Sequence, residues 1–269
     1  MLDFLKILRP FNGFIAAFAV LISAFIVNFP FNYDLLLACL VVFLVCSGGM
    51  VINDYFDYEI DKVNKPERPL PSKKISKNAA LIYSILLFLT ANIIALFLRQ
   101  IIFLFALVNT FLVVFYSWKL KKIALVGNLL VAWLSASSFL FGALLKGTFT
   151  ITILILFMMA FFTSVGREIV KSIEDVKGDK KLKAKTLPLV FGEKFAGWIA
   201  IFFIFLGILS SPVPYALGLL NFYYAVLVII ADLVLAASCF ILFFSPGKSK
   251  TIMKIGMFVA LFSFLVGVF

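Results

Sequence analysis

The chain has no histidine, only three cysteines and only 13 acidic residues among 269. Without histidine the commonest general acid–base group is missing, so any chemistry must run on carboxylates, basic groups, tyrosine or a metal ion. Cys39, Cys46 and Cys239 all fall inside apolar runs with no CxxC pair, which argues against zinc and against a disulfide framework. A thiol in such surroundings behaves as a small hydrophobe. Charged residues make up 14% of the chain, whereas soluble domains carry about a quarter.

Apolar residues fill the space that charge leaves. They form 64% of the sequence, with 34 phenylalanines, and the mean hydropathy is +1.15. A bilayer core needs about 20 apolar residues per helix. Nine spans are expected, at about 11–28, 34–53, 79–98, 101–117, 124–145, 149–166, 195–211, 218–243 and 252–269. The first run lacks a small-residue cleavage site and is too long for a signal-peptide core, so it is expected to remain as a span.

With nine spans, 22 of the 24 basic residues fall on the N-terminal side, leaving only Arg99 and Lys146 opposite. The positive-inside rule makes the richer side cytoplasmic. Topology accounts for most of the +11 net charge and implies no nucleic-acid partner. The basic residues nevertheless concentrate in two long loops, 54–78 and 167–194, where anion recognition predicts them.

The same loops hold the acids. Asn53-Asp54-Tyr55-Phe56-Asp57-Tyr58-Glu59-Ile60-Asp61 and Glu174-Asp175-Val176-Lys177-Gly178-Asp179 contain, with Glu67 and Glu168, nine of the 13 acidic residues. An ionised group at a helix centre in lipid costs roughly 2.5–3.5 kcal/mol, so clustered carboxylates need a partner. Asn53, Asp57 and Asp61 are four apart, as are Asp175 and Asp179; on helices each set shares one face, with Asp54 one position round. A few carboxylates completed by phosphate oxygens suit Mg²⁺, and the implied ligand is a diphosphate. The bland alternative is solvated acids paired with nearby lysines, which fits Glu59 and Glu67 but not two clusters of matched spacing.

The two loops also resemble each other. Asp57 and Asp61 are followed by Arg68-Pro69-Leu70-Pro71, Asp175 and Asp179 by Lys185-Thr186-Leu187-Pro188. The clusters end spans two and six, giving a four-helix repeat in parallel orientation, with two equivalent sites expected to face one cavity. The expected fold is an all-α membrane protein, a single bundle of about nine helices built as two parallel four-helix pseudo-repeats plus one helix, in one domain over 1–269.

Several other polar residues lie in or near the spans. Asn92, Asn109 and Asn221 read as helix–helix glue. Asp232, midway through the eighth span, must be capped by another helix or protonated. Lys119, Lys121 and Lys122 end the fourth span and Arg167 the sixth; they either snorkel at the interface, or Lys119, Lys121 and Arg68 clamp the substrates' phosphates.

The N-D-x-x-D-x-x-x-D pattern at 53–61, the D-x-x-x-D at 175–179 and nine expected helices resemble the UbiA superfamily of intramembrane prenyltransferases, over essentially the whole chain. The resemblance implies Mg²⁺-dependent transfer from an isoprenoid diphosphate, with metal ligands Asn53, Asp54, Asp57, Asp61, Asp175 and Asp179, of which Asp57, Asp61, Asp175 and Asp179 are catalytic. Arg9-Pro10-Phe11-Asn12, Lys65-Pro66-Glu67-Arg68-Pro69-Leu70-Pro71-Ser72, Tyr116-Ser117-Trp118-Lys119-Leu120-Lys121, Gly127-Asn128 and Arg167-Glu168-Ile169-Val170-Lys171 are similar to the archaeal digeranylgeranylglyceryl phosphate synthase family. That likeness implies geranylgeranyl diphosphate as donor and geranylgeranylglyceryl phosphate, a phosphorylated lipid, as acceptor. Asn12, Asn53, Arg68, Lys119, Lys121, Asn128 and Arg167 are the expected substrate-binding residues. Two departures stand out: Ser172 where the group commonly has aspartate, and Lys73 where it commonly has glycine. An aromatic acceptor is the sibling alternative. A cation transporter is disfavoured, because transport sites lie near the bilayer midplane and these acids lie at helix ends.

Overall fold

The computed structural model describes residues 2–181 and 184–269, without the side chains of Asn64, Lys177 and Lys181. Of the basic residues assigned to the cytoplasmic side, Lys183 and the side chains of Lys177 and Lys181 therefore lie outside the described residues. The first helices are α1 (Leu2–Leu8), α2 (Pro10–Ile26), α3 (Tyr33–Phe56), α4 (Tyr58–Asn64), α5 (Lys77–Leu96) and α6 (Gln100–Trp118). There follow α7 (Val126–Leu144), α8 (Ile151–Glu174), α9 (Val176–Lys181), α10 (Leu187–Phe191), α11 (Glu193–Ser210), α12 (Val213–Ala216), α13 (Phe222–Leu242) and α14 (Pro246–Val268). Among the described residues eight helical segments are long and apolar enough to cross a membrane, and a ninth is formed if α1 and α2, bent by 49°, count as one span.

The chain divides into two compact units, 1–121 with 141–148, and 122–140 with 149–269. In the first unit α3 is central and packs against α1, α2, α5 and α6. Its core gathers Val20, Ala24, Leu35, Ala38, Val41, Ala91 and Ile102. In the second unit α8 packs against α11 and α14, and α13 against α11 and α14, around Val165, Ile169, Ala200, Ile204, Leu235 and Met253. The central helices begin alike: the Asn32 side chain accepts from the Leu35 N–H and the Thr150 hydroxyl from the Ile153 N–H, each satisfying one orphan donor of a helix start.

Both central helices outrun the spans expected for them. The sixth span was expected to stop at 166, but α8 continues to Glu174, so Arg167 lies within the helix and not at its end. Of the expected glue residues, Asn92 and Asn221 bond across to another helix, and Asn109 bonds within its own. Asn92 donates to Phe88 O and to Thr110 Oγ1 on α6, while Asn109 donates to Phe105 O. Asn221 caps α13 and donates to Val266 O on α14. Asp232 is capped by the Ser211 hydroxyl, contributed by the segment after α11.

Helices approach closely at Gly166, where a Cβ would lie 2.5 Å from Ile204 Cγ1 and 2.9 Å from the Ala200 carbonyl. Lys73 has φ 61, a left-handed conformation that costs a non-glycine residue roughly 1–2 kcal/mol and gives a physical reason for glycine there. Gly166→Leu should therefore lower stability by about 1–3 kcal/mol through overpacking, seen as a lower thermal midpoint in detergent; an unchanged midpoint would contradict the packing described. At position 73, Lys73→Gly should hold or raise that midpoint and Lys73→Val should lower it, and the reverse order would show that the loop does not need its left-handed turn.

Candidate functional site

α3 stops at Phe56 because Asp57 turns to φ −86, ψ 5, yet the chain pivots there without losing its helical path. The Asp57 N–H still donates to Asn53 O at 2.9 Å, and the Asp61 N–H to Asp57 O at 2.8 Å. The four-residue spacing read from the sequence thus survives the pivot. Asn53 Nδ2 donates to Asp57 Oδ2 at 2.8 Å, and Asp54 and Asp61 are buried.

Each of these carboxylates meets a fixed cation. Arg9 Nη2 pairs with Asp54 Oδ1, and Lys121 Nζ with Asp57 Oδ1. Arg68 Nη1 lies between two acids, 3.3 Å from Asp54 Oδ1 and 2.6 Å from Asp61 Oδ2. Burial raises the Asp61 carboxyl above its ordinary value, and the Arg68 guanidinium pulls it part of the way back. The arginine itself is set by its loop, where the Ser72 hydroxyl donates to Arg68 O at 2.7 Å and Leu70 and Ile75 are buried beneath.

The second motif repeats the backbone device. Asp175 turns at φ −86, ψ 1, its N–H donating to Lys171 O and the Asp179 N–H to Asp175 O, both at 3.0 Å. The turn before it carries different chemistry. Glu168 is buried and pairs with Arg167 Nη1 at 3.0 Å and Lys171 Nζ at 3.1 Å. Asn128 Nδ2 donates to Ser172 Oγ at 3.2 Å, and that hydroxyl donates to Glu168 O at 3.0 Å. The Lys185 N–H donates to Lys122 O at 3.0 Å, which fixes the second basic loop against the start of its own unit.

Of the residues expected from sequence, Asn53, Asp54, Asp57, Asp61, Arg68 and Lys121 come together at the end of α3. Asn12 lies beside them, its amide 3.8 Å from Met50 Sδ, which Arg9 Nη1 approaches at 3.6 Å. Asn128 joins the turn that holds Arg167, and Asp175 and Asp179 follow it. Lys119 goes elsewhere, exposed with its ammonium 4.4 Å from the Trp118 ring centroid. Among the described residues no three acidic or cysteine side chains close on one point at metal-binding range. Sequence reasoning gave Arg9 no site role: it takes a left-handed φ of 48 at the α1–α2 bend and is aimed at Asp54. The available signal was a basic residue set directly before Pro10 in an apolar stretch.

Known proteins give this geometry a context. The model of the UbiA prenyltransferase family matches residues 13–262. The digeranylgeranylglyceryl phosphate synthase of Pyrococcus furiosus is 41% identical over 268 residues, covering 98% of this chain and 96% of that one. A solved structure concerning digeranylgeranylglyceryl phosphate synthase in membranes superposes with TM-score 0.79 at 35% identity, covering 99% of this chain and 97% of its own. A UbiA homologue from Archaeoglobus fulgidus bound to GPP and Mg²⁺ gives TM-score 0.71 at 20% identity over 98% and 99% of the two chains, a likeness that speaks to the fold alone. With a family match over most of its length, and paired acidic motifs at the ends of its two central helices, the chain belongs to the UbiA prenyltransferase family.

Proposed function

We infer that this prenyltransferase moves a geranylgeranyl group from geranylgeranyl diphosphate to the free hydroxyl of geranylgeranylglyceryl phosphate, making an ether lipid. The observation that carries the reading is the set Asp54, Asp57 and Asp61, each matched to a fixed cation, in a chain aligned end to end with relatives named for that synthesis. The domain is read as one, over 1–269.

The donor set fits Mg²⁺. Carboxylate and amide oxygens are the hard ligands this ion takes, in small number and completed by substrate phosphate. Arg68 Nη1, bracketed by Asp54 and Asp61, marks a place where two carboxylates already accept one positive centre. Asn53, Asp54, Asp57, Asp61, Asp175 and Asp179 are the proposed ligands. Bound there, Mg²⁺ supplies Lewis-acid neutralisation of the leaving diphosphate.

The chain's own residues do the rest. Asn53 orients Asp57 through its amide. Arg68 and Lys121, now on carboxylates, turn their charge to the diphosphate oxygens as it enters, and Arg9 supplies the countercharge of buried Asp54. Asn12 lines the same end of α2, and Lys119, over Trp118, adds charge to the rim. The acceptor's hydroxyl oxygen bonds to the allylic C1 of the donor, the C1–O bond to diphosphate breaks, and the hydroxyl proton leaves with the diphosphate or passes to a carboxylate. Asn128 and Arg167 belong to the acceptor's side of the reaction. The protein is placed in the cell membrane with its N-terminus and acidic motifs cytoplasmic, following the distribution of basic residues.

Asp57→Ala and Asp175→Ala should each lower kcat by about a thousandfold, on the several kcal/mol that metal neutralisation supplies. Chelation should silence the wild type and Mg²⁺ restore it. Either variant retaining full Mg²⁺-dependent transfer would defeat the reading. In a variant lacking Cys39, Cys46 and Cys239, Lys74→Cys should react with an impermeant maleimide only from the cytoplasmic face and Thr148→Cys only from the opposite one; the reverse labelling would refute the orientation.

A further inference from the structure

The backbone pivots at Asp57 and Asp175 match in φ and ψ, so the residues of the turn before them correspond by register. Asn53 and Asp54 of the first motif answer to Lys171 and Ser172 of the second, and Gly49 and Met50 to Arg167 and Glu168. The turn before the first pivot therefore carries an amide and one carboxylate, the turn before the second two cations and a buried acid. On the same scaffold, the turn before the second pivot thus adds positive charge that the first turn lacks, directly ahead of Asp175.

The cations are arranged, not scattered. Glu168 is 7% exposed and holds Arg167 Nη1 at 3.0 Å and Lys171 Nζ at 3.1 Å. A buried carboxylate between two cations fixes both at neighbouring positions and leaves a net positive charge. Their side chains remain 27% and 41% exposed, within reach of a ligand from outside the helix bundle. Lys254 of α14 lies within electrostatic reach of Arg167 and adds a third positive charge. Asn128 and Ser172 put neutral polar groups in the same turn. Glu168 holds the fork of an arginine beside an ammonium, a pair of donors suited to charge-assisted bonds to phosphate.

We propose that Arg167 and Lys171, positioned by Glu168 and supported by Lys254, form the site that recognises the phosphate monoester of the lipid acceptor. This deepens the reading of function given above and rests on it. The site distinguishes a phosphorylated acceptor from its alcohol. The donor's diphosphate is left to the aspartates of the two motifs.

The test is steady-state kinetics on the purified, full-length enzyme with Mg²⁺ and geranylgeranyl diphosphate, comparing geranylgeranylglyceryl phosphate with geranylgeranylglycerol, which lacks the phosphate. Arg167→Gln and Lys171→Gln, checked for a wild-type melting temperature, should each raise the acceptor KM at least about tenfold, the scale of one lost charge-assisted hydrogen bond. The donor KM should stay within about twofold. Both variants should lose most of the wild type's preference for the phosphorylated acceptor, and Lys171→Arg should recover it. Glu168→Gln, as a change to a positioning residue, should raise the acceptor KM more than it lowers kcat. An unmoved acceptor KM, an equal rise in the donor KM, or a preference for phosphate kept intact would each overturn the assignment. A wild type that makes no product from this donor and acceptor would instead overturn the underlying reading of function.

Discussion

A carboxylate at the edge of a lipid phase must be matched by a cation, and the first half of this protein is organised by that requirement. Asp54, Asp57 and Asp61 run from the last turn of the central helix α3 into α4, and each draws a positive side chain from a different part of the chain: Arg9 from the α1–α2 bend, Arg68 from the loop after α4, Lys121 from the turn after α6. Removing one partner of a buried pair typically costs about 3–5 kcal/mol, because the charge left behind is uncompensated. The acids thereby fix three separated segments around one helix end. The left-handed turn at Arg9 is strain of the kind that persists where the surroundings over-determine it.

The second half uses the same geometry with different side chains. Its central helix has the length of the first, a side-chain cap of the same kind and a pivot at the same angles. What differs is the sign of the charge in the preceding turn. A duplicated fold can hold a backbone device constant while its side chains diverge. The departure at Ser172 belongs to this change: its hydroxyl accepts from Asn128 and donates to the Glu168 carbonyl, a neutral role where the first motif has a charged one.

Much of this was legible in the sequence for simple reasons. Apolar runs interrupted by clustered acids give span positions and helix ends, and the four-residue spacing gives a shared face, because helix periodicity is local. The aspartates at 57 and 175 could be seen as matched from their spacing alone. Tertiary choices were not legible. Nothing in Arg-Pro-Phe-Asn says that the arginine crosses to Asp54, and nothing around Lys119 says that it leans over Trp118 while Lys121 turns to Asp57. The extension of α8 to Glu174 was hidden because Arg167, Glu168 and Lys171 look like loop residues to hydropathy; their mutual pairing along the helix is what keeps them within it.

That the carboxylates of 53–61 bind a divalent cation together with a diphosphate is tested most directly by electron paramagnetic resonance of Mn²⁺ substituted for Mg²⁺, with a non-reacting thio analogue of geranylgeranyl diphosphate. The expected result is a single high-affinity Mn²⁺ population, coupled to ³¹P, that forms only when metal and analogue are both present and is lost in Asp57→Ala. Analogue binding that is undiminished by a chelator, or Mn²⁺ bound without phosphorus coupling, would contradict it.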